Sequence, residues 1–170
     1  MIEPSFSPAP PVVVQSPRSA DGVVVPGLVA GAICWAAGVG LLAGIGRRSG
    51  ALLQPINAAA HLVLGVRADG VWGFKTDVTV MGVAVVLVVS AVAGIAAAWL
   101  ATSRRTLDRA MVAFGVSFAG YLVHVHVVAR TSGGLASLLS IGELRALYCS
   151  AAIALAVGMR YAFHAAVRES

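Results

Sequence analysis

Four histidines stand out in a chain otherwise poor in chemically capable side chains: His61, His124, His126 and His164. Neutral imidazole is a metal or haem ligand, and its unperturbed charge change falls closest to neutral pH. His124 and His126 are two residues apart, so on a helix they point about 200° from each other and cannot hold one ion unless the helix unwinds. His124 shares a face with Tyr121, and His126 shares one with Leu122 and Arg130. Which of the two joins His61 is open at this level. Three readings compete for these groups. They are structural, bonding helices to one another and to loop carbonyls. Or His61 with His124 or His126 binds a metal or a haem, which would make the chain a redox subunit. Or they form a substrate or proton site to which Tyr148 and Arg130 contribute. The same surface also suits contact with another protein.

Other chemistries find little support. The chain has no GxSxG, no HExxH, no CxxCH and no phosphate-cradling glycine motif, and no acid pair lies inside its apolar stretches. The reading therefore leans away from an enzyme, and a catalytic residue set is not assigned. The two cysteines, Cys34 and Cys149, fall at depths about 9 Å apart if both lie on spanning helices. That is beyond disulfide reach, and both are expected to be buried free thiols.

The elements that position these groups are four apolar stretches, Val23–Ile45, Val78–Ala101, Ala110–Val128 and Leu144–Phe163. Each is long enough to cross a bilayer, whose roughly 30 Å hydrocarbon core takes about 20 helical residues. The 170 residues are 59% hydrophobic and 11% charged, against about 25% charged in soluble domains. A net charge of +5 raises nucleic acid as a partner. The arginines instead flank the stretches, as in Arg47-Arg48, Arg104-Arg105 and Arg109, where they anchor helices at lipid headgroups. The lipid bilayer is the partner implied, with other membrane subunits or self-association beside it, and nucleic acid is not.

Residues 1–22 contain five prolines and a single basic residue, Arg18. They are expected to form a disordered tail rather than a signal peptide, ahead of a four-span domain at 23–166 and a short tail at 167–170. The first span carries two GxxxG patterns, Gly27–Gly31 and Gly40–Gly44, which let helix backbones approach closely in lipid. The long first connection, Gly46–Asp77, contains a mostly apolar stretch, Ala51–Gly65, that is too short to span. It predicts one re-entrant or interfacial helix over about Ile56–Val66, begun by Pro55. Asp108 and Glu143 precede the third and fourth spans and favour helix starts there.

Four spans place both termini on one side, with the first and third connections on the other. Asn57, His61, Tyr121, His124, His126, Arg130, Glu143, Tyr148 and Cys149 then fall in one layer near that second side, while His164 sits at the opposite end. Polar groups at membrane depth usually face a bundle interior or a cavity, which makes this layer the candidate site. Basic residues divide evenly between the sides. The short basic loop with Arg104, Arg105 and Arg109 favours cytoplasmic termini.

Two stretches carry a resemblance. Asn57-Ala-Ala-Ala-His61-Leu-Val-Leu-Gly65 resembles an Asn-Ala-x-x-His-x-x-x-Gly element, and Tyr121-Leu-Val-His124-Val-His126-Val-Val-Ala129 resembles Tyr-x-Val-Asp-Tyr-His-Val-Val-Pro. Leu139-Ser140 and Tyr148 follow at similar places. These elements occur together in small four-span bacterial membrane proteins, some labelled sodium:proline symporter. The resemblance covers about Val23 to Gly158 and implies the bacterial inner membrane. Asn57, His61 and His126 match it. His124, Val125 and Ala129 depart from it, and the lost carboxylate removes the group a cation or proton relay would use. The resulting expectation is an all-α integral membrane four-helix bundle with a short helix in its first loop. Its expected role is that of a non-catalytic component or binding subunit of a membrane assembly. A haem- or metal-binding redox subunit and a small transport or channel subunit stand as alternatives.

Overall fold

A computed structural model describes residues 21–101, 106–131 and 133–168. The proline-rich segment 1–20, Arg104 and Arg105 lie outside the described residues. Four long helices dominate: α1 (Asp21–Arg48), α4 (Thr76–Leu100), α5 (Thr106–Val123) and α8 (Ile141–Arg168). All four are long and apolar enough to cross a membrane, the third by continuing through Val128. The first connection holds α2 (Gln54–Ala59), α3 (His61–Leu64) and a 3-10 turn at Gly65–Ala68. The third holds α6 (Ala129–Thr131) and α7 (Leu135–Leu138).

The distribution of side chains is inverted relative to a water-soluble bundle. Val88, Val92, Phe114, Phe118, Ile153 and Val157 point outward, while Asn57, Thr79, Ser90 and Ser117 are buried. Large apolar side chains on the outside and small or polar ones within are what a lipid solvent selects. The chain is a multi-pass membrane protein in this sense.

α1 is the central helix and packs along both α4 and α8, whereas α5 packs on α8 and only brushes α4. Small residues make the α1 seams possible. A Cβ at Gly94 of α4 would meet the Gly27 carbonyl oxygen and lie 2.6 Å from the Gly31 amide nitrogen. Gly158 of α8 sits as closely on Ala30, with 2.6 Å from a built Cβ to the Ala30 Cα. The first GxxxG pattern is thus consumed within the chain. The second is not, because nothing lies within 4 Å of a Cβ built at Gly40 or Gly44. Both face outward.

The bundle has two working halves. Ala30, Cys34, Ala97, Ala113, Leu155 and Met159 fill one. Leu42, Ile45, Ile56, Leu139 and Leu144 fill the other, beneath the connections. α2 tucks into this second end, and Gly82 of α4 leaves room for the Ile56 carbonyl against it. The single helix expected over Ile56–Val66 is three pieces instead. α2 starts earlier at Gln54 with Pro55 in its first turn, where a missing N–H is harmless. Ala60, between α2 and α3, keeps right-handed dihedrals, and the chain leaves them at Gly65, whose φ is 57°. Ser140 and Glu143 start α8 with reciprocal bonds: the Ser140 amide donates to Glu143 Oε2 at 3.0 Å, and the Glu143 amide to Ser140 Oγ at 3.3 Å. This is a capping box. Arg48, at the end of α1, reaches the same carboxylate at 3.7 Å.

Candidate functional site

Asn57 is fully buried. Its amide donates to the carbonyls of Val71 and Gly73, both at 2.9 Å, and its oxygen accepts from Thr79 Oγ1 at 2.8 Å. These bonds fasten the returning loop to α2 and to the first turn of α4. All its donors are used within the loop, so Asn57 builds the layer rather than facing a ligand.

His61 Nδ1–H donates to Asp69 at 2.6 Å, and the histidine side chain is only 11% exposed while Asp69 is 49% exposed. The neighbouring Gly133–Gly134 turn lies directly against the ring, with 2.8 Å from a Cβ built at Gly134 to the His61 Cβ. His124 faces inward on the last turn of the third span and shares its Nδ1 with the Tyr148 hydroxyl at 3.0 Å. Tyr148 in turn meets Tyr121 edge-on, with ring centroids 5.7 Å apart.

The third span changes geometry at this point. His124–Val128 is one π-helical turn, closed by the Ala129 amide on the His124 carbonyl. Such turns recur at functional sites. Within it His124 is half-buried and His126 is exposed. That difference answers the question that spacing left open: His124, not His126, approaches His61. His61 and His124 border one void of about 20 Å³, a volume suited to one water. A haem sandwiched between these two imidazoles does not fit there. Among the described residues no group of three or more His, Cys, Asp or Glu side chains is placed to hold a metal ion.

Other members of the expected layer stand apart. Arg130 is exposed beyond the π turn, Glu143 caps α8, and Cys149 faces outward. The expectation of two buried thiols holds for Cys34 and fails for Cys149. At the start of α8 the inner stripe is Leu144, Leu147, Tyr148 and Ala151, and Cys149 falls beside it toward lipid. Cys34 of α1 and Ser90 of α4 are both buried. His164 lies near the far end of α8.

Below the layer the incomplete contact between α4 and α5 leaves a cavity of about 300 Å³. Cys34, Gly38 and Leu42 of α1 form its floor. Val85, Val89 and Ser90 of α4, Ser117 and Gly120 of α5 and His124 of the π turn line its sides, and Tyr148 and Leu155 close it from α8. Exposed Val89 and Val123, one on each helix, mark the mouth. The walls are almost wholly apolar. Two of the lining residues carry a buried polar atom without a hydrogen-bond partner among the described residues, Ser117 Oγ and His124 Nε2, and both atoms are themselves closed off from the cavity space.

Sequence reasoning placed His124 and Tyr148 in the right layer but passed over Ser117 and Asp69. Ser117 had a readable signal, since Ser117 and His124 are seven apart and share a helix face. Asp69 had none, because its approach to His61 depends on the break at Gly65.

Fold and site together define a multi-pass helical membrane protein with a side-opening cavity under a polar layer. No family model, no curated protein and no solved structure matches the chain.

Proposed function

We propose that this chain is a non-catalytic binding component of a bacterial inner-membrane assembly, taking up a molecule from the lipid phase. The observation that carries the reading is the apolar cavity between α4 and α5, whose lining includes exposed Val89 and Val123 on the two spans. Unfilled apolar volume of this size is costly in a packed protein, because the lining atoms lose dispersion partners. A lipid-phase molecule restores them without crossing water. The resemblance of the Asn57–Gly65 and Tyr121–Ala129 elements to small four-span bacterial proteins supports the location. The short basic second loop supports cytoplasmic termini. The outward Gly40–Gly44 pattern suits a second membrane helix, from another subunit or another copy of the chain.

Native mass spectrometry of protein extracted in mild detergent tests the binding role. An apolar adduct is expected on the wild-type chain and not on Gly38→Leu, whose side chain would extend into the cavity from its floor. A wild-type spectrum without an adduct, identical to that of Gly38→Leu, would contradict the proposal.

A further inference from the structure

We infer that a groove on the outer face of the bundle, between α5 and α8, seats an acidic phospholipid, with its phosphate paired to Arg145 and one acyl chain running past Cys149. This site is separate from the α4–α5 cavity and goes beyond the binding role proposed for that cavity. The groove has a volume of about 240 Å³ and is walled by Phe114, Phe118 and Tyr121 of α5 and by Arg145, Cys149 and Ala152 of α8.

Spacing on the two helices makes the groove. Residues 114, 118 and 121 stand at i, i+4 and i+7, and so do residues 145, 149 and 152, which gives one stripe on each helix. Consecutive spans run in opposite directions, so Tyr121 belongs to the Arg145 end and Phe114 to the Ala152 end. Ala152 is small and buried, and the floor recedes there between exposed Phe114, Phe118 and Cys149. The upper wall is fixed, since Phe118 stacks on Tyr121 with centroids 6.4 Å apart and Tyr121 meets the Tyr148 ring edge-on. From Arg145 to Ala152 the rise is about 10 Å. That takes the upper part of one acyl chain in a leaflet about 15 Å deep.

Charge selects the head. Arg145 is the one charged side chain on the groove, is exposed, and has no ion pair among the described residues. Glu143 stands two residues away and so projects from another side of α8. Its carboxylate is already held by Ser140 and Arg48. Asp69 is taken by His61. Arg145 lies about 6 Å along α8 from Ile141, where headgroups give way to hydrocarbon. A guanidinium at that depth calls for an anion, and phosphate accepts it through two parallel bonds. The same end of the protein carries Arg47, Arg48, Arg67, Lys75 and Arg130 against Asp69, Asp77 and Glu143. This balance favours a head of net negative charge over a zwitterionic one, whose own cation would meet the same field. A phospholipid is the anion the surrounding bilayer itself supplies.

Cys149 reports on occupancy, because it lies one turn from Arg145 on the groove and is exposed while Cys34 is buried. The test titrates the full chain in a neutral detergent with dioleoyl phosphatidylglycerol, dioleoyl phosphatidylcholine or oleate. Alkylation of Cys149 by N-ethylmaleimide is timed by mass spectrometry of its peptide. Phosphatidylglycerol is expected to half-protect the thiol at a mole fraction about tenfold below that of phosphatidylcholine, the lower end for a hydrogen bond to a charged group. Arg145→Gln should erase that difference, and Arg47→Gln should keep it. Equal protection by the two phospholipids would overturn the acidic head. A difference that survives in Arg145→Gln, or that Arg47→Gln abolishes as well, would reveal an effect of overall charge and overturn the site. Stronger protection by oleate would overturn the phospholipid, and no protection by any of the three would overturn the groove as a lipid site. None of these failures touches the α4–α5 cavity, which Gly38→Leu tests separately. Should Arg145→Gln fail to fold, the three lipids compared on the wild-type chain and on Arg47→Gln decide the matter.

Discussion

Replacing Asn57 by alanine is expected to loosen the whole first connection, and the size of the effect follows from its three bonds. Asn57 is fully buried and holds Val71 O and Gly73 O at 2.9 Å and Thr79 Oγ1 at 2.8 Å. Alanine removes all three bonds. Thr79 is buried, so its hydroxyl loses its acceptor where water does not reach, at about 1–3 kcal/mol. Val71 is half-buried and its carbonyl adds part of a similar cost, whereas Gly73 is exposed and its carbonyl turns to water. The sum is about 2–4 kcal/mol. Asn57→Asp should be worse than alanine despite its shape, because a carboxylate oxygen would face two carbonyl oxygens with no proton to share. Denaturant titration in detergent measures the loss. Hydrogen exchange over 71–79 should rise in both variants. A loss below about 0.5 kcal/mol, or an aspartate milder than alanine, would refute the view that Asn57 is the fastener of this loop.

Further expectations concern the seams and caps. Gly94→Ala places a methyl against Gly27 and Gly31 and should cost about 1–3 kcal/mol by overpacking, read as a lower unfolding midpoint. Gly40→Leu should leave that midpoint unchanged, since nothing in the chain meets it, while lowering any oligomer seen by light scattering. Ser140→Ala removes both bonds of the Ser140 hydroxyl with Glu143 and should destabilise by about 1 kcal/mol. Gly134→Ala combines a φ of 69° with a Cβ placed 2.8 Å from the Ala58 carbonyl. It should cost about 1–3 kcal/mol and broaden the His61 ring resonances in NMR spectra.

The four spans were legible because bilayer thickness demands long apolar runs and tolerates few alternatives. Threading them in order also brought His61, His124 and Tyr148 to one end without knowledge of any contact. Resolution within the layer was lost for local reasons. A regular helix is the default expectation, and it predicts neither the π turn at His124–Val128 nor the break at Gly65 that lets Asp69 return to His61. Burial of Cys149 was misjudged because an apolar residue inside a span is as much at home against lipid as against another helix. The cavity itself arises from a contact that is missing, the weak pairing of α4 with α5, and no residue pattern in either helix announces it. Gly40 and Gly44 illustrate the same point in reverse, since their GxxxG spacing equals that of Gly27 and Gly31 while only the latter pair has a neighbour in the chain.

The cavity's existence and its sideways mouth are open to one experiment, photolabelling in vesicles with an apolar diazirine-bearing alkane, mapped residue by residue. Labels are expected on inward residues of the cavity, Gly38, Ser90, Ser117 and His124, as well as on the outer faces, and Gly38→Leu should remove the inward set alone. Labels confined to outward residues such as Leu87, Val92 and Phe118, with the inward set untouched, would contradict a lipid-accessible cavity between α4 and α5.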